Sequence, residues 1–375
     1  MRKILSLALA LIFVAVLTLP AFADGWYCPS CGRYNDSNFC PKDGTSKPSD
    51  LESNAKGSNT SGYAAAEALE RSGKTAEAAM AYYKLGDKER SFALWNKVAV
   101  RDTISAGYFH TIGLSANGTV VAVGSNEYGQ CNVRDWRDVV AITAGNSHSV
   151  GLKADGTVVA VGENRRGECD VSGRRDIVAI TAGVLYTVGL KADGTVVAAG
   201  WNEYGQCDVS SWKDIVSVSA GKYHTTGLKA DGTVVTAGDC GTGGCNVSSW
   251  RNIVAVSTCT NFTAGLKADG TVVTASIYDL GQCYVPNWED IVAISASGSY
   301  LVGLKADGKA VAMGHTEYGD SCDVSSWRNL LAVSTGGEHI VGLKSDGTVV
   351  ASGFNDYGRC DVSSWRNISL PSNRR

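Results

Sequence analysis

The sequence is poor in proline and has no excess of positive charge. Only 6 of its 375 residues are Pro, against 44 Gly, and its 34 Lys and Arg are outnumbered by 37 Asp and Glu. So many glycines with so few prolines indicate tight turns rather than a disordered linker. Without a basic surplus, charge gives no reason to expect a nucleic acid or an anionic membrane as a partner. Apolar residues make up 44% of the chain, which is enough for a large buried core.

Long apolar runs are also lacking, with one exception at the N-terminus. Residues 1–23 place Arg2 and Lys3 before an apolar run and end in Ala-Phe-Ala, the small-x-small pattern that a signal peptidase accepts. We expect a signal peptide here, and therefore a secreted or cell-surface protein without integral membrane contact after cleavage. An uncleaved anchor is the alternative, since about 20 residues can just span a bilayer.

Residues 24–45 contain CxxC, eight intervening residues and CxxD. Each turn aims two side chains at one point, which suits tetrahedral Zn²⁺ with a carboxylate as the fourth ligand. The predicted ligands are Cys28, Cys31, Cys40 and Asp43. The segment resembles the zinc ribbon family, with Asp43 in place of the fourth Cys, and a structural zinc would stabilise a segment too short to bury a core. A disulfide between two of the thiols is the alternative in an exported protein.

A polar segment and a helical segment follow. Residues 46–61 are rich in Ser and Asn without periodicity, which predicts a flexible linker. Residues 62–100 are rich in Ala, Glu, Lys and Leu, and Gly73 and Gly86 interrupt the pattern, so two or three short helices are expected. The stretch resembles one tetratricopeptide-type hairpin, which cannot bury its apolar face without a neighbour. We therefore expect this helical hairpin to pack on the domain that follows.

Residues 101–370 contain seven copies of one unit. The turn glycines, spaced 38 residues apart five times and 39 once, are Gly118, Gly156, Gly194, Gly232, Gly270, Gly308 and Gly347. Asp-Gly or Asn-Gly between β-branched runs predicts a hairpin in which both central residues take positive φ. Seven small antiparallel sheets around an axis cover one another's faces, so the pattern predicts a mainly β, seven-bladed β-propeller. A solenoid is the alternative.

The two ends of the repeat region complement each other. An eighth copy begins at Trp365 and stops after its first strand, whereas the first copy starts abruptly at Asp102. We expect an overlap of these ends to fasten the ring.

The units AGxxH[T/S]xGLKADGTVVAxG followed by NEYGQC resemble bacterial repeats of the RCC1 type, the regulator of chromosome condensation family. They are also similar to secreted β-lactamase inhibitory proteins. The resemblance covers roughly residues 103–370 and implies an RCC1-like propeller. It does not give the function, because one fold hosts many activities. The nucleotide-exchange role of eukaryotic members depends on a nuclear GTPase, which an exported protein would not meet.

The polar residues that recur in every copy favour structural roles. Four His share a position that Tyr or Phe fills elsewhere, which indicates bonding within the blade. The repeat Cys are expected in the core, and the Asp before each turn Gly in turn chemistry. We find no nucleophile–base pair, phosphate loop or paired catalytic carboxylates outside these series, so no enzyme is predicted. An active site in the divergent fourth to sixth copies, around Cys240, Tyr278, Tyr284 and His315, is the alternative.

Positions that vary between copies are the candidates for recognition. They lie between the AG and the His, and just after the closing Gly of the hairpin. The predicted partner-binding residues are Tyr108, Phe109, Leu185, Trp201, Tyr223, Ile277, His315 and Phe354. Large apolar groups there predict an aromatic binding surface, unless some pack against the helical hairpin or neighbouring blades.

These observations together predict an exported, non-catalytic module that binds a protein, with a glycan as a further possibility and no nucleic acid. A structural cell-surface repeat protein is one alternative. A secreted inhibitor of an extracellular hydrolase, such as a β-lactamase, is the other.

Overall fold

The computed structural model describes residues 26–27, 34–35, 56–98, 102–240, 246–260, 262–276, 285, 288–298, 300–314 and 323–368. The chain divides into two compact units, Met1–Ser61 and Gly62–Arg375. In the first unit, strands β1 (Trp26–Tyr27) and β2 (Tyr34–Asn35) pair antiparallel. The predicted signal peptide and all four predicted metal ligands lie outside the described residues.

The described residues include three helices, α1 (Lys56–Arg71), α2 (Thr75–Lys84) and α3 (Lys88–Val98). Gly73 and Gly86 separate them with φ of 78° and 85°, a left-handed conformation that commonly ends helices. Helix α1 begins inside the segment predicted as a linker. The Ala-rich sequence that follows favours this extension, since each residue added to a formed helix gains a hydrogen bond.

Within the described residues, the repeats form seven three-stranded antiparallel sheets, the blades, each with its second strand in the middle. Blade 1 has β3 (Ile104–Ala106), β4 (His110–Leu114) and β5 (Val120–Gly124); blade 2 has β6 (Val139–Ala144), β7 (His148–Lys153) and β8 (Val158–Gly162); blade 3 has β9 (Ile177–Ala182), β10 (Tyr186–Lys191) and β11 (Val196–Gly200); blade 4 has β12 (Ile215–Ala220), β13 (His224–Lys229) and β14 (Val234–Gly238); blade 5 has β15 (Ile253–Thr258), β16 (Phe262–Lys267) and β17 (Val272–Ser276); blade 6 has β18 (Ile291–Ser297), β19 (Tyr300–Lys305) and β20 (Ala310–Gly314); blade 7 has β21 (Leu330–Thr335), β22 (His339–Lys344) and β23 (Val349–Gly353).

The blades close into a ring through their first strands. Each first strand contacts the first strand of the next blade, and β21 of blade 7 contacts β3 of blade 1. The predicted propeller is confirmed, and the solenoid alternative is wrong.

A closed circuit of hydrogen bonds joins these innermost strands. In each one, a Ser or Thr hydroxyl oxygen accepts a hydrogen bond of 2.8–3.2 Å from a backbone N–H of the next blade. The pairs among the described residues, hydroxyl first, are Ser105–Ala144, Thr143–Ala182, Thr181–Ala220, Ser219–Thr258, Ser257–Ala296, Ser295–Thr335 and Ser334–Ala106. Sequence reasoning missed this role, although the position is Ser or Thr in every copy.

The eighth, partial copy completes blade 1, as predicted. Ile368 forms an isolated antiparallel bridge with Ser115, and the Ala116 N–H donates to the Asn367 carbonyl at 3.2 Å. In blade 2, the residue before the blade's own first strand accepts the equivalent bond. The C-terminal segment therefore supplies the hydrogen-bond acceptor that the first copy, which starts abruptly, does not have.

A Trp ring packs against a glycine of the middle strand in six blades. A Cβ placed on these glycines would lie 2.6–2.9 Å from the ring. The pairs are Gly113–Trp365, Gly151–Trp136, Gly227–Trp212, Gly265–Trp250, Gly303–Trp288 and Gly342–Trp327. Blade 3 has Arg174 instead of Trp, and the nearest atom to such a Cβ on Gly189 is Ile177 Cδ1 at 3.1 Å. Blade packing thus explains the periodic Trp residues.

In the hairpin between second and third strands, three loop residues lie inside the closing hydrogen bond, which in blade 2 runs from the Lys153 N–H to the Thr157 carbonyl at 2.9 Å. In blade 2, the Gly156 N–H donates to the Lys153 carbonyl at 3.0 Å, and of the Asp-Gly pair only Gly156 has positive φ. The prediction of two positive φ angles is therefore wrong, because the loop is a type I turn followed by a left-handed Gly. Asp155 Oδ1 accepts from the Thr157 hydroxyl at 2.6 Å, and this hydrogen bond lowers the pKa of Asp155. The Asp series serves turns, as predicted.

These hairpins lie on one face of the ring, which we call the turn face. Helices α2 and α3 pack on this face. Trp95 Nε1 donates to the Ala230 carbonyl at 3.1 Å. The Tyr83 hydroxyl donates to Asp214 at 2.7 Å, and Lys88 Nζ lies 2.9 Å from the same carboxylate. The predicted packing of the helical hairpin on the repeat domain is confirmed.

Candidate interaction face

Both sets of variable positions lie on the opposite face of the ring, which we call the loop face. It consists of the turns between first and second strands and the loops that follow third strands. In the five blades where the residue after the closing position is also described, its backbone N–H donates to the turn at 2.8–3.0 Å. The pairs, donor first, are Ser125–Phe109, Glu163–Ser147, Trp201–Leu185, Asp239–Tyr223 and Phe354–Glu338.

One group of aromatic rings lies at the seam between blades 3 and 4; we call it the 3–4 cluster. The ring centroid of Trp201 is 5.1 Å from Tyr204 and 5.9 Å from Tyr223, and the two Tyr centroids are 4.9 Å apart. Tyr204 is 44% exposed. Lys222 Nζ lies 4.7 Å from the centroid of Tyr223, within cation–π range. The cluster is a packed patch with an exposed Tyr at its edge.

A second group, the 7–1 cluster, lies at the seam between blades 7 and 1. Phe109 is 4.7 Å from Tyr108 and 6.0 Å from Tyr357, centroid to centroid. Tyr108 is 39% exposed and Tyr357 62%. Phe354, half-buried, begins the same loop as Tyr357.

The two clusters use the same three structural positions: the residue after the third strand, the third residue beyond it, and the second residue of the following turn. The structure describes these positions fully at four seams. They are Trp201, Tyr204 and Tyr223 at seam 3–4; Phe354, Tyr357 and Phe109 at seam 7–1; Ser125, Tyr128 and Ser147 at seam 1–2; and Glu163, Arg166 and Leu185 at seam 2–3. Complete aromatic triads therefore occur at two of these four seams.

Five of the eight predicted residues contribute to, or begin the loop of, these clusters. Leu185 is half-buried and belongs to seam 2–3, where its carbonyl accepts from the Trp201 N–H, and Ile277 and His315 lie outside the described residues. Because helices α2 and α3 pack on the turn face, the helical hairpin does not cover the clusters. Sequence reasoning missed Tyr204 and Tyr357 because it treated NEYGQC as framework; a Tyr inside a polar loop was the available signal.

The side chain of Arg359 holds the backbone of the 7–1 cluster in place. It is buried, and its guanidinium donates to the Tyr108 and Phe354 carbonyls at 2.9 Å and to Glu338 at 3.2 Å. At seam 3–4 the same position is Gln206, whose Oε1 accepts from the Tyr204 N–H at 3.0 Å. The Tyr357 backbone takes a φ of 63°, a conformation that non-glycine residues seldom adopt.

The loop face is acidic where it is described. Residues 125–132, 163–170, 201–208 and 354–361, with the turns 107–109, 145–147, 183–185, 221–223 and 336–338, carry nine Asp or Glu and four Lys or Arg. The basic residues are Arg165, Arg166, Lys222 and Arg359. Three of them are engaged already, since Arg165 pairs with Glu163 at 3.4 Å, Arg166 with Glu203 at 2.9 Å and Arg359 with Glu338 at 3.2 Å. The face therefore attracts positive charge.

The periodic histidines connect neighbouring blades, so the expectation of bonding within each blade is wrong. His110 Nε2 lies 2.8 Å from Ser149 Oγ of blade 2, and this hydroxyl donates to the Gln130 carbonyl at 2.8 Å. Nε2 must therefore carry the proton, because the hydroxyl proton is already used. His148, His224 and His339 make the same contact to the next blade.

Burial keeps these histidines neutral. It lowers the pKa of His110 and His339 to about 3, and that of His148 and His224 to about 4. All four are fully buried. A neutral, buried and hydrogen-bonded imidazole favours a structural role over acid–base chemistry.

The repeat cysteines fasten the loops instead of filling the core. The thiols of Cys131, Cys169 and Cys207 donate to the carbonyl of the first loop residue at 3.2 Å. Burial raises the pKa of Cys131 to about 11 and those of Cys169 and Cys207 to about 12. Such thiols are poor nucleophiles at neutral pH. Cys240, also buried, is disulfide-bonded.

In the part of the chain that the structure describes, no three His, Cys, Asp or Glu are grouped to hold a metal ion. The helices described there are too short or too polar to cross a bilayer.

The chain carries RCC1 repeats. Residues 102–130, 139–168, 177–206 and 331–359 match the model of the regulator of chromosome condensation (RCC1) repeat. The matched segments fall in blades 1, 2, 3 and 7 of the closed ring, so four of the seven repeats match the RCC1 repeat in sequence. No curated protein matches the chain in sequence.

Solved structures share the fold. The CRINKLY WD40 ectodomain of the receptor kinase ACR4 from Arabidopsis thaliana is 17% identical, with 72% of this chain and 98% of that chain covered and a TM-score of 0.58. The ectodomain of the receptor kinase CR4 from Physcomitrella patens is 18% identical, with 68% and 73% covered and a TM-score of 0.57. At these identities, the likeness concerns the fold alone.

Proposed function

We propose that this protein is an exported, non-catalytic module that binds a protein partner through the loop face of its propeller. The two clusters of packed, partly exposed aromatic rings on that face carry the proposal. Tyr and Trp are the residues that most often anchor protein interfaces. The RCC1-repeat propeller is generally an interaction fold, which agrees with this role.

The chemistry of the repeated polar groups supports a binding role over an enzymatic one. The histidines are neutral and engaged between blades, and the thiols have raised pKa values. The Asp series is engaged in turns. These groups are used by the framework, so recognition falls to the residues that differ between seams.

Capture of a partner tests the proposal. The mature protein and a Trp201→Ala/Phe354→Ala variant would be used as baits on envelope and culture fluid, with bound proteins identified by mass spectrometry. Tyr128→Ala is the matched control, because Tyr128 occupies the Tyr204 position at a seam without the other two aromatic residues. We expect a partner that wild type and Tyr128→Ala retain and the double variant loses.

Thermal melts would first establish that all three proteins are folded. The same bound set on all three would contradict the proposal. Self-association alone would favour the structural repeat protein, and a captured hydrolase whose activity falls would favour the inhibitor.

Export is part of the proposal. The apolar segment 1–23 supports it, and the disulfide at Cys240 suits an oxidising compartment. N-terminal sequencing of protein from the culture fluid should begin at Asp24. A start at Met1 on membrane-bound protein would indicate the anchor instead.

We also propose that Cys28, Cys31, Cys40 and Asp43 hold a structural Zn²⁺. The pairing of Trp26 with Asn35 brings the chain on either side of the CxxC pair together, which supports the proposal. Native mass spectrometry should find one zinc per chain, which Cys28→Ser removes. A mass lower by two hydrogen atoms without metal, and no labelling of two of the three thiols in this segment, would indicate a disulfide.

A further inference from the structure

We infer that the loop face is bivalent: the 3–4 and 7–1 clusters are two equivalent sites that together take two Arg- or Lys-bearing segments of one basic protein partner. The inference rests on the proposed function and adds the chemistry and number of the contacts. Three observations carry it: the repeated triad, the open aromatic faces, and the charge of the loop face.

The loops that carry the two triads are held at their ends by the same bonds, although positive φ occurs at Tyr357 and not at Tyr204, and Arg359 stands in place of Gln206. Asn202 and Asn355 each accept the N–H five residues on at 2.7 Å, and each donates to the Asp six residues on at 2.9 Å. The loops that carry Tyr204 and Tyr357 are therefore held alike at both ends. A ligand feature that fits one triad should fit the other.

The rings themselves indicate what that feature is. Centroid separations of 4.7–6.0 Å leave no room for a cation between the rings, so neither cluster is an aromatic cage. The chain does place cations over two rings of the loop face, with Arg165 5.1 Å from the exposed Tyr128 and Lys222 4.7 Å from the half-buried Tyr223. Among the described residues, no cation lies over Tyr204 or Tyr357, the most exposed rings of the two triads. A partner's Arg or Lys would complete the same arrangement there.

Charge favours the same partner. The loop-face ranges counted above hold nine carboxylates against four basic side chains, and three of those four are already paired. An acidic surface attracts a basic segment over long range and disfavours an acidic one. Binding should therefore weaken as salt is added.

The position of the two seams makes the contact bivalent. Around a ring of seven blades, seams 3–4 and 7–1 are three steps apart in one direction and four in the other, so they lie nearly opposite each other on one face. One short segment cannot reach both. A partner that presents two basic segments gains avidity from the second contact without new chemistry.

Defined peptides test this inference by titration calorimetry on the mature protein. The probe is a synthetic peptide of alternating Arg and Gly, (Arg-Gly)4, used alone and as a tandem joined by Gly-Ser linkers of increasing length. We expect two single peptides per chain. The tandem should bind one per chain and at least about tenfold more tightly once the linker spans the face.

Variants locate the sites. Tyr204→Ala and Tyr357→Ala should each remove one of the two single-peptide sites and return the tandem to single-peptide affinity. Tyr128→Ala is the matched control and should leave both sites. An acidic peptide, (Glu-Gly)4, should not bind.

One peptide site, equal effects of Tyr128→Ala, equal binding of the acidic peptide, or no binding at millimolar peptide would each overturn the inference. These outcomes are separate from the capture experiment. A partner lost on Trp201→Ala/Phe354→Ala would leave the binding module standing even if the peptides fail.

Discussion

The turn face and the loop face of the propeller come from the same repeats, yet they differ in how freely the sequence varies. On the turn face, every described hairpin repeats the same Gly conformation, and helices α2 and α3 cover part of it. On the loop face, one structural position holds Trp, Phe, Ser or Glu at different seams. The hydrogen bonds that hold the loops come from the main chain, from Asn and Cys, and from the residue before the Cys, such as Gln206 or Arg359. None of them uses the side chain at this position, which is therefore free to vary. Substitutions in the shared framework should therefore change stability, and substitutions on the loop face should change binding.

The largest effect on the framework is expected from acid. The four inter-blade histidines are neutral in the folded protein, with pKa values lowered by burial to about 3 or 4, against 6.5 when exposed. Their contribution is complete above pH 6.5, falls as the pH drops from 6.5 towards the folded pKa values, and is lost below them. At pH 4 the loss is about 3 kcal/mol for each His, so the loss from all four is comparable to the whole stability of a typical domain. Circular dichroism should show unfolding between pH 6 and 4.

Another blade of the same propeller suggests the control for the acid effect. Blade 5 has Phe262 at the His position, so His148→Phe should weaken the pH dependence of stability. An unchanged acid transition in that variant would show that other groups cause it.

The Trp–Gly packing offers the next largest effect. Gly227→Ala places a Cβ 2.7 Å from the Trp212 ring, and such overpacking costs about 1–3 kcal/mol. Gly189→Ala in blade 3 meets its nearest atom at 3.1 Å and should cost less. Urea titrations of both variants would measure the difference, and equal losses would contradict the account of Trp packing.

Substitutions at the contact between the helices and the turn face should lower stability by a smaller amount. Asp214→Asn weakens the contacts of Tyr83 and Lys88 and should lower stability by about 1 kcal/mol. Asp176→Asn changes the same repeat position in blade 3 and is the control. Hydrogen exchange of α2 and α3 should rise in the first variant alone.

The same contact has a defined pH dependence. The hydrogen bond from Tyr83, followed by that from Lys88, lowers the pKa of Asp214. Its contribution is therefore complete above the ordinary value of 3.8 and is lost as the pH falls below it. Asp214→Asn should remove this part of the acid response.

The smallest effects on stability belong to the loop face. Tyr204→Ala and Tyr357→Ala remove side chains that are 44% and 62% exposed, so each should change the free energy of unfolding by no more than about 0.5 kcal/mol. Relief of the positive φ does not enter, since Ala disfavours it as Tyr does. A loss of several kcal/mol would mean that these rings are packing residues, and the contrast between the faces would fail.

Features that repeat along the sequence were predicted, whereas contacts between blades were missed. Recurring Gly, Trp and Asp residues predicted the blades, the ring and the overlap at Trp365, because each recurs for one local reason. The Ser and Thr circuit and the inter-blade His contacts could not be foreseen, since they join residues about 39 positions apart across two blades. Trp201, Phe109 and Phe354 were found as departures from the repeat. Tyr204 and Tyr357 were missed because a shared residue was taken to be a buried one.

Both ends of the propeller lie at the turn face, where Asp102 leads into the first strand and Ile368 pairs with Ser115. Anything joined to either end, whether a helix, a tether or a solid support, therefore emerges on the side away from the aromatic clusters. The fold thus works as an oriented display, in which attachment at one side leaves the opposite side open to solution.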